Sequence, residues 1–234
     1  VLAFLRDLAK RSRPRALEDA GEVDDFAQKT LGIDEVEPWD RPYAAEKLRE
    51  ARYSYSDAEV KRYFTQNAVF AGLFRMVETL FGIEIEEKRA SVWHPDVKYF
   101  EVKRAGKQIA AFYADLYARE GKRSGAWMDG ERTRRRLSDG TLVTPVAYLV
   151  TNFAAPVEGK EATMTHDEVT TLFHEFGHTL HHILTAQEEA QVSGINGVEW
   201  DAVELPSQFL ENFAWEHDVV KAISRHADSG EPLP

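Results

Sequence analysis

The chain has 234 residues, a formal net charge of −11 at pH 7 and a mean hydropathy of −0.45. The length allows one large domain or two small ones, and the negative charge argues against a nucleic-acid-binding protein because phosphates would be repelled. No apolar run approaches the length of a membrane span, and the absence of cysteine excludes disulfides and thiolate metal sites. We therefore expect a cytoplasmic globular protein with neither a nucleic-acid nor a membrane partner.

Residues 1–92 are predicted to be helical, because their apolar side chains recur at helical spacing among charged ones. A short first helix is expected to end before Pro14, since proline lacks the amide hydrogen that a helix interior needs. Gly32 and Gly82 each follow an apolar segment, as C-terminal caps commonly do. The later predicted helices are Leu17–Leu31, Arg41–Tyr53, a short one capped by Ser56 and Glu59, and Asn67–Phe81.

Residues 93–153 are predicted to form strands. Apolar segments on both sides of Arg104–Lys107 suggest a β-hairpin, and Asp139-Gly140 suggests another turn. The almost continuously apolar Pro145–Phe153 is typical of an inner strand. The glycine-punctuated Glu120–Met128 is expected to be a loop, and the arginines at 132 and 134–136 a solvated segment rather than a binding patch. The two predicted hairpin strands are Val97–Lys103 and Gln108–Tyr117.

A further helix is predicted over His166–Leu184, because Thr165 and Glu168 have the spacing of a capping box. At about 100° per residue, its apolar side chains share one broad arc that should face a core. These apolar residues are Val169, Leu172, Phe173, Phe176, Leu180, Ile183 and Leu184.

The side of this helix opposite the apolar arc carries His-Glu-x-x-His, formed by His174, Glu175 and His178. Histidines four residues apart lie one helical turn apart, so both imidazoles can bind one tetrahedral zinc ion at about 2.0–2.1 Å. Glu175 lies beside the first histidine, where it can act as general base toward a water molecule that zinc activates. The alternative is an amphipathic helix whose polar face carries these residues by chance.

A third zinc ligand is expected from a second helix. The metzincin pattern fails, because His181 occupies its glycine position and Leu184 its last histidine position. Glu204 is the better candidate, since two histidines and a glutamate form a known catalytic zinc site. Pro206 is tolerated only in the first turn of a helix, which places Glu204 at its start.

Other residues near this pattern are candidates for supporting roles. Asp201 and Glu211 share a face with Glu204 if the whole stretch is helical, and either could orient a ligand histidine; a solvated helix face is the alternative. His181 lies one turn beyond His178 and could contact a ligand or only neighbouring helices. The aromatic residues of the second helix are expected to be core rather than substrate pocket; they are Phe209, Phe213 and Trp215.

The segments HEFGHTLHHILT and SGINGVEWDAVELPSQFLENFAWE resemble the thimet oligopeptidase family, and the resemblance extends over essentially the whole chain. It implies one Zn²⁺ per chain held by His174, His178 and Glu204, with Glu175 as the catalytic glutamate. It also implies a mainly α fold with a small antiparallel or mixed β-sheet (α+β) and a zincin-like catalytic core. Residues 1–92 would form one wall of a substrate channel and residues 93–234 the catalytic region. By analogy with zincins, one strand edge would pair with the peptide substrate.

The implied function is that of a zinc-dependent metallopeptidase, an oligopeptidase that hydrolyses internal bonds of short peptides. Members of this family are longer, so we expect an excised piece whose partner is the remainder of the peptidase. In the family, tyrosine and histidine residues downstream of the ELPSQ helix stabilise the oxyanion, and this chain ends before such a segment. The alternative is a non-catalytic fragment that folds and binds zinc or peptide; Tyr148 and His182 are the conceivable substitutes for the missing donors.

Overall fold

The computed structural model describes residues 1–53, 56–157 and 159–234. Contacts divide the chain into two units, Val1–Glu59 and Val60–Pro234. The functional division predicted at residue 92, with the first part as a channel wall, stays a prediction. Of the helices in the described ranges, none combines the length and the apolar character needed to cross a bilayer.

The first unit is helical, as predicted, but its first two predicted helices are one. Helix α1 runs without interruption over Leu2–Phe26 and continues as a π-helical segment, Ala27–Leu31, which ends at Gly32 in the left-handed conformation. Pro14 lies inside α1, so the expected break there is wrong. Because α1 buries none of its residues, water can solvate the carbonyl group that the proline leaves without a donor. Helix α2 is Arg41–Tyr53, as predicted, and α3 is Asp57–Lys61.

The second unit has a five-stranded mixed sheet with the order β1-β2-β3-β7-β4. The predicted hairpin is confirmed as the antiparallel pair of β2 and β3, and the predicted inner strand is β7, parallel to β3 and antiparallel to β4. The turn at Asp139-Gly140 is confirmed between the short strands β5 and β6. The strands are β1 Glu84–Lys88, β2 Lys98–Arg104, β3 Lys107–Tyr117, β4 Trp127–Arg132, β5 Arg135–Arg136, β6 Leu142–Val143 and β7 Val146–Phe153.

The two edge strands of the sheet were not predicted. Strand β1 falls within the segment expected to be helical, and β4 begins at Trp127, inside the expected loop. Both are rich in charged residues, which protect exposed sheet edges but hide the apolar alternation of a strand. The α+β class with a small mixed sheet is nevertheless confirmed.

One core holds the central helix against the sheet. The helices of this unit are α4 Gln66–Phe81, α5 His166–Ile183, α6 Leu205–Glu211 and α7 His217–Ile223. The ring of Phe176 on α5 lies 5.4 Å from Phe112 on β3 and 5.8 Å from Phe74 on α4, between ring centroids. Phe112 in turn stacks on Phe100 of β2 at 4.9 Å. This aromatic core fixes the rotation of α5 about its axis, because the apolar arc has one complementary surface.

A buried ion cluster stabilises the end of β3. Asp115 is only 4 % exposed and accepts hydrogen bonds from both terminal nitrogens of Arg119, at 2.6 and 2.7 Å, and from Lys122 Nζ at 2.8 Å. Trp93 Nε1 donates to the same carboxylate at 3.0 Å. Burial alone would raise the pKa of Asp115, but the hydrogen bonds from Arg119, Lys122 and Trp93 outweigh it and lower that pKa well below its usual range.

We expect Asp115→Asn to lower the free energy of unfolding by about 3–5 kcal/mol at pH 7, because it leaves the buried ammonium of Lys122 without its counter-charge. The folded pKa of Asp115 is lowered, so its stabilisation is full above the unfolded pKa of about 4 and is lost as the pH falls through the folded pKa. The difference between native and variant should therefore shrink below about pH 4. Urea unfolding followed by tryptophan fluorescence measures it.

Glu87→Gln is the control for this prediction. Glu87 forms an ion pair with Lys98 at 3.1 Å, but both side chains are about half exposed, and such pairs contribute about 1 kcal/mol or less. Equal losses in the two variants would contradict a stabilising role for the buried cluster.

Candidate metal centre

Helix α5 begins where its capping box predicts. The Thr165 Oγ1 atom accepts from the Glu168 amide at 3.1 Å, and the Glu168 carboxylate accepts from the Thr165 amide at 2.7 Å. The helix ends at Ile183, with Leu184 as its cap residue. The predicted apolar arc is buried except for Leu184, which is half-buried. The histidines of the motif therefore lie on the side of α5 that the core leaves free.

Helix α6 places Glu204 beside that side of α5. It spans Leu205–Glu211, with Pro206 in its first turn and Glu204 as its N-terminal cap residue, as predicted. A segment rich in turns at residues 193–204 connects the two helices, and α6 packs against α5.

The two helices touch at Gly177, within the HEFGH motif. A Cβ atom at Gly177 would lie 2.6 Å from Ser207 Cα and 2.7 Å from the Pro206 carbonyl oxygen, both backbone atoms of α6. Any side chain at this position would hold α6 away from α5. The glycine inside the motif therefore sets the distance between the elements that carry the donor atoms.

Three donor atoms converge across this contact. Glu204 Oε2 lies 3.0 Å from His178 Nε2 and 3.2 Å from His174 Nε2, and the three ligand atoms lie within 4.8 Å of one another. Ligands at about 2.0–2.1 Å from a tetrahedral zinc ion lie about 3.3 Å apart. His174, His178 and Glu204 thus fit a zinc ion in both the spacing and the chemical type of their ligand atoms, since imidazole and carboxylate groups suit zinc.

Protonation also favours metal binding. His174 Nδ1 lies 2.5 Å from Glu211 Oε1. Since an ionised carboxylate can only accept, this contact favours the proton on Nδ1 and leaves Nε2 of His174 able to bind a metal. Burial lowers the pKa of His178, which favours the neutral imidazole that a metal requires.

The Glu204 carboxylate is favoured in its charged form. Burial opposes ionisation, but the hydrogen bond from Ser207 and the nearby imidazoles of His178 and His174 prevail and lower the pKa of Glu204. Ser207 Oγ lies 3.0 Å from Glu204 Oε2. Ser207 was not among the candidate residues identified from the sequence, and a short polar side chain three residues after the glutamate was the available signal.

Glu175 lies beside the donor atoms but is not one of them. It is only 7 % exposed, and burial raises its pKa, with Glu204 adding to the rise and His174 and the Met128 amide opposing it. A carboxylate with a raised pKa is suited to accept and release a proton near neutral pH. Its proximity to Met128 places the edge strand β4 next to the site.

The remaining predicted residues are placed differently. Asp201 is exposed in a turn before α6. A shared helix face with Glu204 would require a helix that already includes residue 201, but α6 begins at Leu205. His181 is half-buried, and its Nδ1 atom has no hydrogen-bond partner within the described residues. Phe209 and Trp215 were expected in the core, but they are 55 % and 69 % exposed. The α6 positions that turn inward are instead Ser207 and Leu210.

His182 links α5 to the edge strand, a role that sequence reasoning missed. It is 1 % exposed, and its Nε2 atom lies 3.1 Å from the Arg132 carbonyl oxygen at the end of β4. A Cβ atom at Gly130 would lie 2.8 Å from the imidazole, and one at Gly194 would lie 2.6 Å from it. The two glycines, one in MDG and one in SGING, were the signal for this close packing.

We expect Gly177→Ala to destabilise the protein. Alanine favours a helix interior by about 1 kcal/mol over glycine, but here its methyl group would overlap the backbone of α6, at a cost of about 1–3 kcal/mol. Gly21→Ala is the matched control, since Gly21 also lies within a helix and a Cβ atom there meets nothing within 4 Å. Thermal unfolding should show a lower midpoint for Gly177→Ala and a raised one for Gly21→Ala. A raised midpoint in both would refute the close contact.

Comparison with known proteins shows the family to which this chain belongs. The model of Peptidase family M3 matches residues 1–234. Over 236 residues the chain is 52 % identical to oligopeptidase A of Escherichia coli, covering all of this chain and 35 % of that protein. It is 41 % identical over 240 residues to the probable cytosolic oligopeptidase A of Arabidopsis thaliana, covering 99 % of this chain and 34 % of that protein. It is 38 % identical over 237 residues to dipeptidyl carboxypeptidase of Salmonella typhimurium, covering all of this chain and 34 % of that protein.

The chain therefore spans about a third of the length of these relatives. The predicted resemblance is confirmed, because the match is not confined to the HEFGH motif but includes both units of the structure. The whole chain, from residue 1 to residue 234, belongs to Peptidase family M3.

Proposed function

We propose that this chain is the metal-binding catalytic core of a zinc metallopeptidase that hydrolyses internal bonds of short peptides. The observation that carries the proposal is the convergence of His174 Nε2, His178 Nε2 and Glu204 Oε2 from two helices, with the buried Glu175 beside them. Membership of Peptidase family M3 and relatives named as oligopeptidases support the same reaction class.

Each residue of the site has a distinct role in this proposal. His174, His178 and Glu204 would hold the ion, and Glu211 keeps His174 in the tautomer that presents Nε2. Zinc bound there lowers the pKa of water and polarises a carbonyl group. Glu175 takes the proton of the attacking water and returns it to the leaving amine, as its burial and raised pKa favour.

The edge strand β4 is the proposed peptide-binding strand. Among the described residues it pairs with β7 on one side only and lies last in the sheet order. Its Met128 amide is near Glu175, and its Arg132 end is tied to His182 on α5. An extended peptide that adds to the free edge by backbone hydrogen bonds would run past the metal-binding side chains.

A second candidate is a fragment that binds zinc or peptide without turning it over. The observation that favours it is that relatives are about three times as long as this chain. Both conceivable substitutes for a downstream oxyanion donor have other contacts within the described residues. His182 is buried against β4, and the Tyr148 ring packs against Trp93 and Tyr113 at 5.5 and 5.6 Å.

We expect about one zinc ion per native chain by elemental analysis, and much weaker binding by Glu204→Ala, because two imidazoles alone leave two coordination positions without protein ligands. Asp201→Ala is the matched control: it removes a nearby acid that lies in a turn outside α6, so its zinc content should be native. Equal zinc content in Glu204→Ala and the native chain would exclude Glu204 as a ligand.

We expect Glu175→Gln to retain one zinc ion and to lower the rate of peptide cleavage by at least about 100-fold, because it removes the proton acceptor. A quenched-fluorescence peptide, assayed with and without chelator, measures this. Chelator-sensitive cleavage by the native chain supports the peptidase. Bound zinc with no cleavage supports the second candidate, and near-native turnover by Glu175→Gln would exclude Glu175 as the base.

A further inference from the structure

We propose that Ser207 is a positioning residue that fixes the Glu204 carboxylate for metal binding. The inference rests on the proposed zinc site and adds a residue that the motif does not contain.

Glu204 needs such a partner more than the two histidines do. Its side chain is 50 % exposed, whereas those of His174 and His178 are 26 % and 10 % exposed. Both histidines project from a long helix packed on the core, but Glu204 lies before the first residue of a seven-residue helix. A glutamate with three rotatable bonds and little packing loses conformational entropy when it binds an ion. A hydrogen bond that orients it beforehand reduces that loss.

Ser207 is placed to provide this hydrogen bond. Its Oγ atom lies 3.0 Å from Glu204 Oε2, the same oxygen that faces both histidines, and 2.8 Å from the Glu204 carbonyl oxygen. When the hydroxyl donates to Oε2 it occupies one lone pair of that oxygen. Since the same oxygen lies 3.2 Å from His174 Nε2 and 3.0 Å from His178 Nε2, its other lone pair is left for an ion that the two imidazoles also bind.

The position of Ser207 itself is rigid. The residue is fully buried, and its Cα atom lies against Gly177, where α6 crosses α5. The hydroxyl therefore has a fixed position relative to His174 and His178, which flank Gly177 on α5. Through Ser207, the helix contact sets the place of the carboxylate as well as that of the backbone.

The test is the zinc dissociation constant, measured by competition with a chelator for native protein and Ser207→Ala. We expect binding to weaken about 10–100-fold, the usual effect of removing a group that orients a metal ligand. Ser224→Ala is the matched control, because Ser224 is also fully buried but donates to the Lys221 carbonyl oxygen at 3.3 Å. It should bind zinc like the native chain.

Two further variants separate positioning from packing. In a Glu204→Ala background, removing the Ser207 hydroxyl should not change zinc affinity, because its only proposed route is through Glu204. Ser207→Thr keeps the hydroxyl but adds a methyl group in the crowded contact with Gly177. It should lower the thermal midpoint of the metal-free protein while keeping the zinc affinity within a few-fold of native.

The outcomes distinguish this inference from the proposed function. Native protein that binds no zinc overturns both. Native protein that binds zinc, with Ser207→Ala binding equally well, overturns the role of Ser207 alone. The same is true if Ser207→Thr loses as much affinity as Ser207→Ala, or if Ser207→Ala has an equal effect in the Glu204→Ala background, because packing would then explain the loss.

Discussion

The candidate site depends on one close contact between two helices. Helix α5 carries two donor atoms and α6 carries the third, so the site exists only at the distance to which these helices approach. Gly177 permits that distance because its missing side chain leaves room for the backbone of α6. The contact lies between the two histidines in sequence, which makes it part of the geometry of the site rather than a remote packing detail. A change of about 0.2 Å there is comparable with the tolerance of a metal–ligand bond.

The rest of the second unit determines which way α5 faces. Its apolar arc packs through Phe176 against the aromatic core formed with the sheet and α4. Because this packing fixes the helix rotation, His174 and His178 are directed away from the core toward α6. On the same helix His182 is buried against β4, so α5 is fixed on two sides. The hydrophobic effect thus orients a helix whose polar residues carry the proposed chemistry.

The three proposed ligands are held with unequal firmness. The histidines project from an eighteen-residue helix and are mostly buried, and His174 is further tied to Glu211. Glu204 is half exposed at the beginning of a short helix whose outer face leaves Leu205 and Phe209 exposed. The carboxylate is therefore the ligand whose geometry depends most on its local hydrogen bonds.

The sequence by itself determined the family, the fold class and the central helix. A capping box, an apolar arc and His-Glu-x-x-His are local patterns, and local patterns follow from helix geometry without knowledge of the fold. The position of Glu204 at the start of its helix could also be predicted, because Pro206 restricts where that helix can begin. The edge strands β1 and β4 were not predicted, since their charged residues hide the alternation of apolar and polar side chains. The helix break expected at Pro14 was wrong, because α1 is exposed and tolerates a proline in its interior.

Only the tertiary structure decided which neighbours support the proposed ligands. Glu211 reaches His174 and Asp201 does not, because α6 begins at Leu205 and its first turn sets which acids face α5. The contact of Gly177 with Ser207 joins residues thirty positions apart, so no local pattern contains it. Periodicity defines the faces of a helix, but the distance and angle between two helices depend on the shapes of both surfaces, and these exist only in the folded chain.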